Sequence, residues 1–544
     1  MAVLSKIPDA LEKKQGLAKT ADAEAWVKAN SNFLKEALAK HSAWIKASQI
    51  EKYQAAYDGD LEEIEARDKA KGDETNYKLV ANYAQLVIDT IVDYMVGKAP
   101  VWTVEDENQE DSDTTEADIV KAYRKDLLAL LKEEQAQRVL AEQLRQGSIA
   151  CYSGVIAWVD EEGKIDYEEF PAQEIIPIMD TKGRVKMVIR AYDVDLVAED
   201  DQVSNIKKLE VYDGRYITYL QSDETGTTFE LDQDEVATGN PIEHMAGRIP
   251  VSLFFNGTAA SYKTRLKRAG TSDLGTGVYD LLVAYSHGLS DKANLADYLQ
   301  DQYLKLKGVD VDEKEVIKMR KARAIALKSK DADADFIAQD QNDQAVENYL
   351  NRLENTIYDT TFTPKLNKLE GATATEIKMK YAALDIKAGK KEIYFRGAVK
   401  MLIDILTDLL NAKILIDSGT ESPYEVLSNP EALEGRDDLY KSEWLTFSFN
   451  RNLPQNYKEI ADIVAELSGK VPDSYLIELL WFVDDPVKAL AEMKAQQDQA
   501  AKATAKANMA AMGYDSNFQD TTGDGTGNGG AGGQGSEGDQ GGNA

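Results

Sequence analysis

The sequence is poor in the residues that build disulfides and metal sites. Its 544 residues include one cysteine, Cys151, and three histidines. No disulfide can form within the chain, which fits a reducing compartment. His41, His244 and His287 are far apart in the sequence, so a histidine-rich metal site is not expected. Cys151 has no histidine placed near it and is predicted to be a buried side chain rather than a nucleophile.

Long apolar runs and phosphate-binding loops are also missing. No apolar run reaches the roughly 20 residues that span a membrane. Residues 1–20 are polar and charged, so we expect no signal peptide. The stretch Gly97-Lys98-Ala99 lacks the upstream glycine and the Ser or Thr of a phosphate-binding loop. The sequence therefore predicts neither a membrane protein nor an ATPase.

One acidic run has the spacing of a calcium loop but not its chemistry. Asp331, Asp333 and Asp335 alternate as in an EF-hand. Phe336 stands where that loop needs glycine, and Asn342 stands where it needs a bidentate glutamate. The run is therefore predicted to be an acidic surface, and we expect no metal and no cofactor.

Negative charge dominates the composition. The formal net charge is −32 and the sequence pI is about 4.6. Proteins that find nucleic acid by electrostatic attraction are basic, so the composition argues against a repressor or a nuclease.

The most informative part of the chain is residues 275–413. Apolar residues recur every three or four positions over 278–299 and again over 346–357, which predicts two amphipathic helices. Between them lies an excursion, 301–342, that opens with alternating apolar and polar residues. The pattern is helix, small excursion, helix.

A short loop and a very long helix follow. Pro364 disfavours helix for the residue before it, and Gly371 frees the backbone. From Thr373 a helical pattern continues to about Asn411, weakened but not ended by two glycines.

This order of parts resembles the core of tailed-bacteriophage portal proteins of the Gp6-like type found in long-tailed phages. In that family two stem helices flank a clip domain, and a tunnel loop then projects into a DNA channel and leads into a long kinked helix. The stretches that carry the resemblance are Tyr279–Leu282, Leu289–Asp291, Asn294–Asp297, Leu304–Gly308, Ala372–Lys378 and Asp385–Ala388.

Three stretches outside this core add to the resemblance. They are Asn76–Pro100, Arg248–Asn256 and Leu479–Pro486. The tyrosines of the first stretch could be interpreted as a platform for base stacking, but their helical spacing is more typical of core residues.

Together, the patterns and the resemblance predict an α+β, mainly helical chain with the portal fold. The predicted parts are an N-terminal helical arm that packs loosely (1–30), a wing (31–274), a first stem helix (275–300), a small α/β clip (301–342), a second stem helix (343–361), a tunnel loop (362–373), a long kinked helix with a return strand of the wing (374–455), a helical crown (456–510) and a disordered glycine-rich tail (511–544).

Finer patterns predict the elements inside the wing. The predicted helices cover about 32–57, 76–96 and 114–146. The predicted strands are a hairpin at 155–159 and 165–167, and single strands at 101–104, 185–192, 209–213, 215–220, 227–231 and 444–449.

The resemblance assigns DNA-facing roles to the tunnel loop. The residues expected to face DNA are Lys365, Asn367, Lys368 and Glu370, and the expected hinges are Pro364 and Gly371. Residues 365–400 contain nine basic and four acidic side chains, a local net charge of 9 − 4 = +5. Most of these charges can equally form helical pairs or solvated faces.

A second basic stretch departs from the family, which usually has a short acidic connection at 257–274. Here Tyr262–Arg268 holds four basic residues. It can be a solvated loop, or it can contact DNA or the acidic face of a neighbouring subunit.

The resemblance implies a non-enzymatic channel protein of the virion, placed at one capsid vertex and assembled in the host bacterial cytoplasm. The implied partners are eleven further copies in a dodecamer, double-stranded DNA, the terminase large subunit, the head–tail adaptor, the major capsid protein and the scaffolding protein, with no membrane. The clip, including Asp331, Asp333 and Asp335, would meet terminase and then the adaptor. An acidic chain suits such a conduit, since DNA should slide and not adhere. The alternative is a nucleic-acid-processing enzyme of the packaging machinery, a nuclease or ATPase, and a third interpretation is a scaffold or adhesin without a channel.

Overall fold

A computed structural model of the chain describes residues 20–68, 76–104, 114–131, 134–160, 162–180, 182–197, 203–223, 228–232, 239–257, 270–275, 277–300, 303–307, 312, 314, 317–318, 333–337, 343–365, 374–452, 457–478 and 486–511. The chain divides into two compact units, Met1–Pro454 and Gln455–Ala544. Helices and strands are mixed throughout the first unit, as the α+β prediction required.

The first unit contains most of the helices. They are α1 (Thr20–Ala47), α2 (Ile50–Asp58), α3 (Glu62–Glu65), α4 (Tyr83–Val96), α5 (Thr114–Leu131), α6 (Glu134–Ala150), α7 (Val278–Gln300), α8 (Asp343–Thr361), α9 (Ala374–Asp417), α10 (Pro423–Leu427) and α11 (Pro430–Leu433). The second unit contains α12 (Tyr457–Leu467), α13 (Asp473–Glu478) and α14 (Pro486–Ala511), in the part predicted to be the crown.

All described strand pairings are antiparallel, and they form four sheets. The strands are β1 (Val101–Val104), β2 (Tyr152–Val159), β3 (Ile165–Pro171), β4 (Ile175–Met179), β5 (Val185–Val197), β6 (Val203–Tyr212), β7 (Tyr216–Ser222), β8 (Phe229–Leu231), β9 (Ile242–Glu243), β10 (Val251–Phe255), β11 (Tyr303–Lys307), β12 (Asp333–Ile337) and β13 (Leu445–Ser448). The sheet orders are β1-β13, β10-β2-β3, β11-β12 and β4-β5-β6-β7-β8, with β9 added beside β7.

Both faces of the largest sheet are covered. Successive side chains of a strand point to opposite faces, and apolar residues lie on both of them. On β4, Ile176 and Ile178 join a core with α1, whereas Ile175 and Met179 join a second core with β2 and β10. Neither β4 nor β9 was predicted from the sequence. β4 is buried along its whole length and so lacks the apolar–polar alternation of a half-exposed strand.

The main core surrounds the long helix α9. Buried residues of α9 recur at helical spacing and pack with α4, α5 and α6: Leu384, Ala388, Phe395, Leu402 and Leu409. Both internal glycines, Gly389 and Gly397, lie within this unbroken 44-residue helix. The predicted helix was therefore correct in kind and extends six residues beyond the expected end at Asn411.

Residues 20–30 were expected to pack loosely as part of the N-terminal arm, and this expectation is wrong. Helix α1 begins at Thr20, and Ala23 and Val27 are buried against the largest sheet. This part of the chain therefore packs firmly into the body, and residues 1–19 lie outside the described residues.

Two predicted helices are shorter or interrupted. The helix expected over 32–57 is divided at Gln49, whose left-handed backbone (φ 55°) separates α1 from α2. The helix expected over 76–96 begins only at Tyr83, because the Asn82 side chain accepts a hydrogen bond from the Gln85 backbone N–H and caps the helix there. The helix expected over 114–146 is present as α5 and α6.

Candidate functional site

The end of α8 is shaped by a left-handed cap. The Thr363 N–H donates to the Tyr358 carbonyl at 3.0 Å, and the Phe362 N–H donates to the Asp359 carbonyl at 3.4 Å. These two bonds form a Schellman motif, whose left-handed residue is usually glycine. Here that residue is Phe362, with φ 59° and half of its surface exposed. A bulky residue in this conformation carries backbone strain.

The residues on either side of Phe362 are anchored. The Thr361 and Thr363 hydroxyl oxygens lie 2.9 Å apart, and both residues are buried. Pro364, the predicted hinge, is buried as well. The chain therefore enters the predicted tunnel loop from a fixed point.

Lys365 folds back onto α8. Its Nζ atom lies 2.6 Å from Glu354 Oε2 and 3.2 Å from Asn355 Oδ1, and 5.2 Å from the centre of the Tyr358 ring. The side chain is about one third exposed. An ion pair of this exposure contributes roughly 0–1 kcal/mol, so it orients Lys365 without locking it.

Three tyrosines join α4, α7 and α8 beside this pair. The Tyr83 ring lies 5.1 Å from Tyr285 and 5.9 Å from Tyr358, nearly perpendicular to both. Edge-to-face contacts of this kind are favourable. Burial, followed by the hydrogen bond with Tyr285, raises the pKa of Tyr83 well above its ordinary value. The three helices are thus fixed together at the level of the loop.

Close packing also holds α7 against α8. A Cβ atom added at Gly288 would lie only 2.9 Å from Cδ2 of Leu350, which is buried between the two helices. Lys292 of α7 and Glu347 of α8 form an ion pair further along. The two helices predicted to be stem helices therefore form a tight antiparallel pair.

A buried ionic cluster fixes α9 to the start of α7. Lys391 Nζ donates to Asp273 Oδ2 at 2.8 Å and to Ser148 Oγ at 2.7 Å. Lys387 Nζ lies 3.3 Å from the same carboxylate and donates to the Thr361 carbonyl, the last of α8, at 3.2 Å. The cluster therefore connects the middle of α9 to the ends of α6 and α8 and to the residues just before α7.

Charge balance in this cluster is uneven, because two ammonium groups share one carboxylate. Burial alone would raise the pKa of Asp273, but Lys387 and Lys391 outweigh burial and hold this pKa well below its ordinary value. Burial lowers the pKa of Lys391 to about 8, and attraction to Asp273 offsets only part of that effect. The Asn256 side-chain amide satisfies the other carboxylate oxygen at 3.1 Å.

This cluster was missed in the sequence, where Lys387 and Lys391 counted only as members of a basic helix. One signal was available. Lys391 stands in register with Leu384, Ala388 and Phe395, all of which are buried. A lysine inside an apolar stripe requires a partner, because an unpaired buried charge is costly.

Two of the predicted clip aspartates lie on β12. In the β11–β12 register, Asp333 is opposite Lys307 and Asp335 is opposite Lys305. Opposite charges at facing positions stabilise a strand pair, as at Asp333 and Lys307. Its role as a partner surface stays a prediction.

Several predicted residues lie outside the described residues. They are Asp331, Asn367, Lys368, Glu370 and Gly371, together with the basic stretch Tyr262–Arg268. Among the residues that the structure does describe, no group of His, Cys, Asp or Glu side chains is arranged to hold a metal ion. Over the same ranges, no helix is both long and apolar enough to cross a membrane.

Comparison with known proteins identifies the family. The family model described as "Phage portal protein, SPP1 Gp6-like" matches residues 37–503. The chain is also similar to the portal protein of Bacillus phage SPP1, at 23% identity over 371 residues, which are 64% of this chain and 65% of that protein. The match thus spans slightly less than two thirds of the relative's length. Because the family match covers most of the sequence, the chain belongs to the SPP1 Gp6-like family of phage portal proteins.

Proposed function

We propose that copies of this chain close into a ring at one vertex of a phage capsid and that double-stranded DNA is packaged, retained and released through the central channel. The observation that carries this proposal is the family match over residues 37–503. The order of elements supports it, since the tight pair α7 and α8 is followed by a short segment and the 44-residue helix α9. The role is structural, as expected for a portal, and the ring is taken to have twelve copies.

The parts of the chain divide this role. Residues 31–274 would form the wing against the major capsid and scaffolding proteins, and 301–342 the clip that receives the terminase large subunit and then the head–tail adaptor. The helices α7 and α8 would form the stem, and 456–510 the crown facing the packaged DNA. Assembly would take place in the cytoplasm of the bacterial host.

Residues 362–373 are the proposed tunnel loop. Lys365, Asn367, Lys368 and Glu370 would face DNA, with Pro364 and Gly371 as hinges. In a ring, each lysine recurs once per subunit, so weak and exchangeable phosphate contacts add up around the channel. The fixed entry at Thr361 and Thr363 supports this role, because a loop moves reproducibly only from an anchored base.

The acid surface suits such a conduit. A net charge of −32 on each copy repels the phosphate backbone over most of the wall. Adhesion is then confined to the few basic positions, and a duplex can slide without being trapped.

The decisive experiment is to determine the native mass of the purified full-length chain and to image the particle along its axis. A closed ring near twelve subunits, with an axial hole wide enough for a B-form duplex, is the expected result. A monomer, a dimer, or a particle without an axial hole would overturn the proposal.

A further inference from the structure

Helix α9 carries an exposed apolar stripe on the side opposite its core. Met379 is 73% exposed, Ile386 63% and Ile393 71%, and Met401 is 40% exposed further along. At 3.6 residues per turn, Met379, Ile386, Ile393 and Met401 lie within an arc of about 80° and extend over roughly 33 Å of helix. We call these four residues the α9 stripe.

Apolar side chains aligned in this way are unusual on a surface that contacts only water. Large apolar residues exposed singly are ordinary, but four of them aligned along one side of a helix favour an interaction site. Helix α9 cannot rotate to bury the stripe, because Lys391, which lies roughly 120° away from Met379 around the helix, is fixed to Asp273. The stripe therefore stays exposed on the described chain.

Space and charge around the stripe describe its partner. Gly397 lies in the same line, and a Cβ atom added there would meet nothing within 4 Å, which leaves a notch for a close approach. Lys390, within the stripe, and Lys400, at its edge, are exposed. A surface of isoleucine, methionine and lysine complements a protein surface that is apolar with acidic residues nearby. A phosphate backbone would leave the isoleucine and methionine side chains without apolar contacts.

A second copy of this chain has that chemistry. Residues 365–400 carry +5, so the rest of the chain carries −32 − 5 = −37. A cyclic ring also requires two unlike faces on each subunit, one for each neighbour. The α9 stripe lies on a fixed helix and combines apolar side chains with nearby lysines. These are the properties expected of a subunit face that contacts an acidic neighbour.

We infer that the α9 stripe is a subunit interface, docking on the acidic surface of the next copy in the ring; this inference rests on the proposed function. The contact would hold α9 of each subunit, which follows the segment 366–373 in the sequence. Neighbouring copies would then be joined next to the loop that is proposed to meet DNA.

The test is the assembly state of an Ile386→Glu/Ile393→Glu variant of the full-length chain. Both positions are exposed, so the fold should persist, and circular dichroism and Tm check that it does. The matched control is Ile416→Glu, an exposed isoleucine on the same helix that is turned roughly 120–140° away from Ile386 and Ile393. At a concentration at which the wild-type and Ile416→Glu chains form rings, at least tenfold fewer rings of the double variant are expected by native mass spectrometry.

Thiol labelling gives an independent readout. Cys151, the cysteine already present, is buried, so a new thiol can be followed with a maleimide. Ile393→Cys should react at least tenfold more slowly in the ring than in the unassembled variant that also carries Ile386→Glu. Cysteine at position 416 should react at similar rates in both states.

Each outcome decides between the two proposals. If wild-type rings form and the double variant assembles equally well, or if the thiol at 393 reacts as fast in rings as in monomers, the stripe is not an interface and the portal function stands. If the wild-type chain never assembles, the proposed function fails and this inference with it. If the thiol is protected in the monomer, a segment of the same chain covers the stripe and the inference is overturned.

Discussion

Lys391 Nζ donates a hydrogen bond of 2.8 Å to Asp273 Oδ2 across 118 residues of sequence. The lysine side chain is 4% exposed and the aspartate 11%. Their contact joins the long helix α9 to the turn that precedes α7, and Lys387 adds a hydrogen bond to the carbonyl of Thr361, the last residue of α8. The helices α7, α8 and α9 thus share one buried ionic anchor.

Removing the carboxylate from this anchor should be severe. Asp273→Asn leaves two buried ammonium groups facing a neutral amide, and breaking a buried pair in this way costs about 3–5 kcal/mol. The free energy of unfolding from urea titration measures the loss. Asp438→Asn is the control, because Asp438 pairs with Arg436 on the surface and should lose less than about 1 kcal/mol. Equal losses in the two variants would contradict a buried anchor.

The same anchor predicts a pH effect on the alkaline side. Burial lowers the pKa of Lys391 to about 8 in the folded chain, whereas the unfolded value is about 10.4. Between these values the unfolded chain binds more protons, so stability rises with pH. Relative to Lys391→Met, the free energy of unfolding of the wild-type chain should rise from pH 8 to 10.4 by up to about 3 kcal/mol. A difference that stays flat or falls over this range would contradict the prediction.

The left-handed cap of α8 predicts an unusual order of substitutions at Phe362. Glycine adopts φ 59° without strain, which should stabilise the folded Phe362→Gly variant by about 1–2 kcal/mol. The greater entropy of glycine in the unfolded chain should offset about 0.5–1 kcal/mol of this gain. Phe362→Gly should therefore stabilise the protein slightly. Phe362→Val should destabilise it, since a β-branched residue fits this region poorly. Thermal unfolding compares the Tm values of the two variants. A Tm of Phe362→Val equal to or higher than that of Phe362→Gly would contradict the left-handed cap.

Lys365 and Lys368 should affect DNA retention more than assembly. The Lys365→Ala/Lys368→Ala variant should form rings normally but hold packaged DNA less well, as measured by nuclease protection of filled heads. Glu354→Gln is the matched control, because it breaks the 2.6 Å ion pair while keeping the lysine. Similar retention defects in this control and in Lys365→Ala would mean that Lys365 acts only through the pair, and failure of the double variant to form rings would overturn the loop assignment.

Local patterns were read successfully from the sequence where periodicity alone decides. The second amphipathic pattern, over 346–357, lies within α8, and the predicted hairpin is present as β2 and β3, with Gly163 at φ 76° in the turn between them. Predictions failed where a distant surface decides. Ala23 and Val27 belong to a polar, lysine-rich stretch, and only the sheet against which they pack makes that stretch part of the body.

The sequence by itself determined the order of helices, the acidity of the chain and its family, because helical period, composition and motif order are local properties of a polymer. Tertiary structure decided which of the apolar sides of α9 is covered, so that Lys391 is buried and Ile386 and Ile393 on the same helix are exposed. The reason is that a helix has a fixed period but no preferred side: which side is covered depends on the carboxylates and apolar residues that other parts of the chain bring to it.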